Sequence, residues 1–182
     1  MRDSRIERKT KETDIKLWLG IDGSGSAEID LDEQFLCHML DTLTRYSSFN
    51  LQLEATGDNI HHLVEDIAIA LGTAFKDALG DSPVERIASA LIPMDDALVT
   101  MVVDIIDRPY CDVDCPDTLY AHFFRSFAMS SGITLHGIIH RGIDEHHVIE
   151  ASFKALGTAL RRAVIPRSSV LSTKDSVSLR RE

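Results

Sequence analysis

His61 to Phe75 reads HHLVEDIAIALGTAF, and His146 to Leu160 reads HHVIEASFKALGTAL. At a constant offset of 85 residues the two stretches agree at eight of fifteen positions: the paired histidines, a glutamate and the run Ala-Leu-Gly-Thr-Ala. Self-similarity at a fixed period marks one supersecondary unit used twice. The 182-residue chain is therefore divided into two related halves, residues 1–90 and 91–165, followed by a tail at 166–182.

Each copy carries His-His-x-x-Glu. At the start of a helix the first histidine and the glutamate are i and i+4, the second histidine and the glutamate i and i+3, so all three crowd one end of one face. Imidazole nitrogens beside a carboxylate suit a borderline divalent ion such as manganese, iron, cobalt, nickel or zinc. A single copy would equally well be a polar helix start. Two copies in register, holding four of the eight histidines in the chain, favour metal.

The flanking sequence sets the fold class. Ile15, Leu17 and Leu19 alternate, Gly20 to Ser26 is turn-rich, and Ile29 and Leu31 alternate again, which predicts a β-hairpin. Phe35 to Tyr46 has helical spacing, Leu51, Leu53 and Ala55 alternate as a strand, and a helix follows from His62 to about Leu79. The second half repeats the order: strands at Leu98–Ile106 and Pro109–Val113, a helix at Leu119–Ser130, a strand at Ile133–Ile139, and a helix at His146–Ala163 closed by Pro166. Two β-β-α-β-α units, each with helices packed on one face of its sheet, make an α+β layered fold.

Composition narrows the function. A net charge of −10 argues against a nucleic-acid partner, because phosphate binding needs a dominant basic surface. With neither an apolar run of membrane-spanning length nor a leader pattern, a soluble cytoplasmic protein without a membrane role is expected. Cys37, Cys111 and Cys115 are an odd set without a secretory context and are read as free thiols.

Outside the repeats, His38 and His136 are candidate further ligands, whereas His122 and His140 are read as structural. Arg86, Arg108, Lys154 and Lys174 are cations that could hold a phosphate. Glu12 precedes the first strand and has no evident structural reason to be acidic.

Taken together the chain resembles the imidazoleglycerol-phosphate dehydratase family over nearly its whole length. The matching pieces are Arg8-Lys-Thr-Lys-Glu-Thr, His38-Met-Leu-Asp, both His-His-x-x-Glu motifs, Pro93-Met-Asp, Arg108-Pro, Phe123-Phe-Arg-Ser-Phe-Ala, Gly132-Ile-Thr-Leu-His136, Phe153-Lys-Ala and Ser172-Thr-Lys174. The resemblance implies the ribosomal protein S5 domain 2-like fold with pseudo-twofold halves. It implies two manganese ions per active site, with His38, His61, His62, Glu65, His136, His146, His147 and Glu150 as ligands. Glu12, Glu65 and Glu150 are then the catalytic carboxylates, and Glu12, Arg86, Arg108, Lys154, Ser172 and Lys174 contact the substrate. It also implies trimers closed into a 24-subunit homo-oligomer, with sites between subunits. The reaction implied is dehydration of imidazole glycerol phosphate to imidazole acetol phosphate in histidine biosynthesis.

The sequence departs from the family pattern at five places. Cys37 stands where an aspartate precedes the helix histidine, and Arg45-Tyr-Ser-Ser lacks a histidine. The turn before the first motif is short, with Leu63 in place of threonine, and the connection from Tyr110 to Tyr120 is short as well. No expected ligand is removed. Two rival readings fit the same motifs: a metal-bound oligomeric scaffold without turnover, and another metal-dependent lyase or hydrolase of a small phosphorylated substrate.

Overall fold

The structure is a computed structural model that describes residues 1–169 and 171. Its first half runs β1 (Asp3–Lys9), β2 (Thr13–Gly20), β3 (Ala27–Asp30), α1 (Gln34–Ser47), β4 (Asn50–Gly57) and α2 (Ile60–Leu79). The second half runs β5 (Ile87–Met94), β6 (Ala97–Ile105), β7 (Tyr110–Val113), α3 (Thr118–Ser131), β8 (Ile133–Arg141) and α4 (Glu145–Ala163). Each half contains the expected β-β-α-β-α order and adds one strand ahead of it. Strand β5 runs through position 90, where the sequence reading divides the halves.

The two sheets share one topology, β1-β2-β4-β3 and β5-β6-β8-β7, antiparallel except for the parallel pairs β3–β4 and β7–β8. Each sheet buries one face. Along β2 and β6 alternate residues are buried, from Ile15, Leu17 and Leu19 to Val99, Met101 and Val103. α2 packs on β1 and β2, α4 on β5 and β6, and the helices of one half meet those of the other, so one main core lies between the sheets, with a small separate cluster of Ala97, Val99, Val148 and Ala151 under the start of α4.

The predicted hairpin between Ile15–Leu19 and Ile29–Leu31 is not formed. β2 pairs with β1 and β4, and β3 crosses over to run parallel to β4 on its far side. Asn50 draws the connection across: its Oδ1 accepts from the Ser24 and Ser26 amides at 2.9 and 3.1 Å. The chain there approaches so closely that a Cβ on Gly23 would lie 2.6 Å from the Asn50 side chain. The true hairpin partner, β1, reads DSRIERK, whose charges hide the strand from any apolar alternation.

The repeated glycine explains why the helices pair as they do. A Cβ on Gly157 in α4 would meet the Leu43 carbonyl of α1 at 2.7 Å and the Ser47 amide at 3.0 Å. A Cβ on Gly72 in α2 would meet the Phe127 carbonyl of α3 at 2.7 Å and the Ser131 amide at 3.0 Å. The two contacts correspond atom for atom, so α1–α4 and α3–α2 are equivalent helix pairs drawn to backbone contact by the Ala-Leu-Gly-Thr-Ala run. No helix among the described residues is long and apolar enough to cross a membrane.

Candidate active site

Side-chain caps fix the register of both motifs. Asn59 caps α2 by accepting from the His62 amide at 3.1 Å, and Asp144 caps α4 by accepting from the His146 amide at 2.8 Å. The capping oxygens satisfy amides that a helix start leaves unpaired. Both His-His pairs therefore occupy the second and third helical positions, and their glutamates follow on the next turn.

At the α1–α4 pair the structure assembles a compact group. Glu150 Oε2 lies 3.4 Å from His38 Nε2 and 3.4 Å from His146 Nε2, and the donor atoms of these three residues all lie within 4.8 Å of one another. Among the described residues it is the one such group of three. Glu150 is buried, 7% exposed, while both imidazoles reach solvent. Lys154, one turn on, holds the other carboxylate oxygen at 2.8 Å. Burial opposes ionisation of Glu150, but the hydrogen bonds and charges of Lys154 and His38 outweigh it and hold the carboxyl below its ordinary value. An ionised oxygen therefore faces two imidazole nitrogens across an open rim. Phe35 backs the His146 ring, with centroids 4.9 Å apart.

The second histidine of each motif is oriented by a carboxylate. His62 Nδ1 lies 2.7 Å from Asp58, and His147 Nδ1 lies 2.6 Å from Asp96 on the β5–β6 turn. Each hydrogen bond raises the pKa of its imidazole. A carboxylate on Nδ1 fixes the tautomer that turns the Nε2 lone pair outward as a ligand; His147 Nε2 lies 3.4 Å from Asp95 Oδ2. Asp96 also accepts from the Ile143 and Asp144 amides, tying the turn to the start of α4. Glu12 lies 3.7 Å from His62 Nδ1. Its turn is placed by Asp66, buried beside Glu65, which accepts from Arg8 at 2.7 Å and Thr13 at 2.5 Å.

The donor set, imidazole nitrogens with an ionised carboxylate, suits a borderline divalent ion. The cysteines do not compete. Cys37 Sγ donates to the Leu31 carbonyl at 3.2 Å, and burial raises its pKa. Burial also pushes the Cys111 and Cys115 thiols up to about 11.

Other expected residues lie apart from this group. His61 and Glu65 are exposed at the start of α2, and the pair is not gathered as His146 and Glu150 are. His136 is exposed on β8, its ring tilted against Tyr110 at 5.3 Å. Arg86 is engaged within the chain: Nε and one terminal nitrogen hold Asp104 at 2.6 and 3.1 Å, and the other donates to the Leu171 carbonyl at 2.7 Å. Arg108 is exposed on the β6–β7 turn. Ser172 and Lys174 lie outside the described residues.

His122, which its sequence context marks as structural, is the counterpart of His38. Each is the fifth residue of a 14-residue helix, α1 or α3, and the two helices are set 84 residues apart. Their caps correspond as well, Glu33 with Asp117 and Ser48 with Gly132. Since α3 packs on α2 as α1 packs on α4, His122 holds in α3 the position that His38 holds in α1, where it is exposed and not gathered with His61 and Glu65 as His38 is with His146 and Glu150. The signal in sequence was this second, slightly different offset.

Comparison with known proteins agrees with this geometry. The family model for imidazoleglycerol-phosphate dehydratase matches residues 32–160. The imidazoleglycerol-phosphate dehydratases of Bacillus velezensis and Bacillus subtilis are each 44% identical, over 96% of this chain and 98% of their own. The crystal structure of the Pyrococcus furiosus enzyme in complex with (S)-C348 superposes with a TM-score of 0.84 at 36% identity, covering 94% of this chain and all of that one. That of the Staphylococcus aureus imidazoleglycerol-phosphate dehydratase gives 0.80 at 31% identity, covering 91% and 99%. A repeated motif, a pseudo-twofold fold and full-length relatives on both sides lead to one conclusion: the chain belongs to the imidazoleglycerol-phosphate dehydratase family.

Proposed function

We propose that this chain converts imidazole glycerol phosphate to imidazole acetol phosphate in histidine biosynthesis, using two manganese ions per active site. The observation that carries the reading is the group of His38, His146 and ionised Glu150 at an open helix junction, in a chain of this family. By the pseudo-twofold relation His61, Glu65 and His122 are assigned to a companion group, with Nε2 of His62 and of His147, the latter now 3.4 Å from Asp95, completing the ligand sets. His122 takes the place expected of His136, whose strand position sets it against Tyr110.

A divalent ion bound there supplies Lewis-acid polarisation of the substrate's imidazole ring. That polarisation is needed because the proton to be removed sits on a carbon that no carbonyl acidifies. Glu12, whose carboxylate lies 3.7 Å from His62 Nδ1, is suited to move a proton at the reacting carbon or oxygen of a substrate bound there. Glu65 and Glu150 act in the same site as ligands and candidate bases. Arg108, Lys154, Ser172 and Lys174, with Arg86, gather the phosphate and orient the substrate remote from the bond that breaks.

The start of α2 and the α1–α4 group are both open at the surface, which fits sites completed between subunits of a homo-oligomer, trimers closed into a 24-mer, in the cytoplasm. The test is a turnover assay on metal-stripped protein with imidazole glycerol phosphate. Product formation restored by manganese is expected. Manganese bound without any turnover would overturn the reading in favour of an inert scaffold or a different substrate.

A further inference from the structure

The β6–β7 turn carries Arg108, and its conformation is unusual. Asp107, the residue before it, has φ 53°, in the left-handed region that aspartate enters more readily than most residues but still at a cost. Pro109, the residue after, restricts Arg108 to extended backbone. Thr134 Oγ1 donates to the Arg108 carbonyl at 2.9 Å, fixing the turn to β8.

One further contact reaches this turn from another element. Lys76, in the last turn of α2, places Nζ 2.5 Å from Asp107 Oδ1. The Asp107 carboxylate also lies against the α3 cap: a Cβ on Gly132, where φ is +75°, would come within 2.7 Å of the same oxygen. The strained residue is thus seated where the ends of α2 and α3 converge, and Lys76 supplies the charge that keeps it there. Lys76 has no place in the ligand sets or among the phosphate contacts.

We infer that Lys76 is a positioning residue for substrate phosphate: by pinning Asp107 it holds the turn that presents Arg108 in its binding geometry before substrate arrives. The inference rests on the phosphate role proposed for Arg108. A preset arginine binds phosphate without first paying to order its turn. The Lys76–Asp107 pair is exposed, with side chains 50% and 74% accessible, so its contribution is modest and screened by salt.

The experiment compares Lys76→Met, Lys76→Arg, Asp107→Gly, the Lys76→Met/Asp107→Gly double variant and Arg108→Gln in the manganese-loaded protein. The readouts are kcat, KM for imidazole glycerol phosphate, and inhibition by inorganic phosphate. Lys76→Met is expected to raise KM and the phosphate inhibition constant together by about two- to fivefold, the range set by an exposed ion pair, with kcat unchanged. Lys76→Arg should restore both. Glycine takes a positive φ without strain, so in the Asp107→Gly background Lys76→Met should have no further effect. A KM unaltered by Lys76→Met, or a fall in kcat and thermal stability with no change in phosphate inhibition, overturns the inference while leaving the proposed reaction standing. A KM unaltered by Arg108→Gln removes the phosphate role of Arg108 and the inference with it.

Discussion

Replacing Gly157 with alanine tests the helix contact on which the α1–α4 group depends. At an ordinary helical position the change would stabilise by about 1 kcal/mol, because alanine loses less backbone freedom than glycine. Here the added Cβ would meet the Leu43 carbonyl at 2.7 Å, the Ser47 amide at 3.0 Å and Tyr46 Cβ at 3.1 Å, where ordinary contacts begin at 3.4 Å. The two nearest atoms are backbone and cannot rotate away, so α4 must move off α1 by several tenths of an ångström. Overpacking of this kind costs about 1–3 kcal/mol, and with the lost core contact it should outweigh the propensity gain. A net destabilisation of about 1–2 kcal/mol corresponds to a fall in Tm of roughly 2–8 °C for a chain of this size. The assay is a thermal melt at fixed protein concentration, since the proposed oligomerisation would make Tm concentration-dependent. Gly157 is about two turns from Glu150 along the same helix, so manganese affinity should weaken with the same change. Gly72→Ala, the symmetry mate, should cost a similar amount. A Tm that rises in either variant would refute the close-contact reasoning.

Further outcomes are expected. Glu150→Gln should lower turnover at least about a hundredfold, because it removes both a proposed ligand charge and the counter-charge of half-buried Lys154; circular dichroism should show α4 still folded. Chelation should dissociate the proposed 24-subunit assembly into smaller oligomers, read by light scattering, and a shell unchanged after complete metal removal would contradict metal-linked assembly. The Arg2 hydrogen bond holds Asp22 at about 2, below its ordinary value, so its stabilisation is complete above about pH 4 and is lost as pH falls through 2. With a side chain 40% exposed, that contribution is at most about 1 kcal/mol. Asp22→Asn should lose it at pH 7 in urea unfolding, and the gap to the parent should close between pH 4 and 2.

The two motif helices were legible because the repeat preserves both chemistry and packing: the same Ala-Leu-Gly-Thr-Ala run that brings α4 onto α1 brings α2 onto α3. His38 was legible only by its company, since a lone helix histidine says little. His122 was not, because its offset from His38 is 84 residues rather than 85 and no His-His-x-x-Glu surrounds it. Asp96 could not be found by spacing at all: it reaches His147 from 51 residues away through the β5–β6 turn. β1 was hidden because both its faces carry charges, and β5 because apolar residues such as Ile87 and Leu91 lie on its outer face as well as its inner one. The mistaken hairpin shows the limit of alternation, which identifies strands but not their partners; a single asparagine side chain, Asn50, decides where the Gly20–Ser26 connection goes.

The proposed site holds two equivalent metal groups, one across each helix pair. Manganese bound per chain, measured by mass spectrometry on purified parent, His38→Gln, His122→Gln and His136→Gln proteins, tests this directly. Two ions in the parent and in His136→Gln, with one weakened or lost in each of His38→Gln and His122→Gln, is the predicted result. Two firmly held ions in His122→Gln, or the loss of one in His136→Gln, would contradict it.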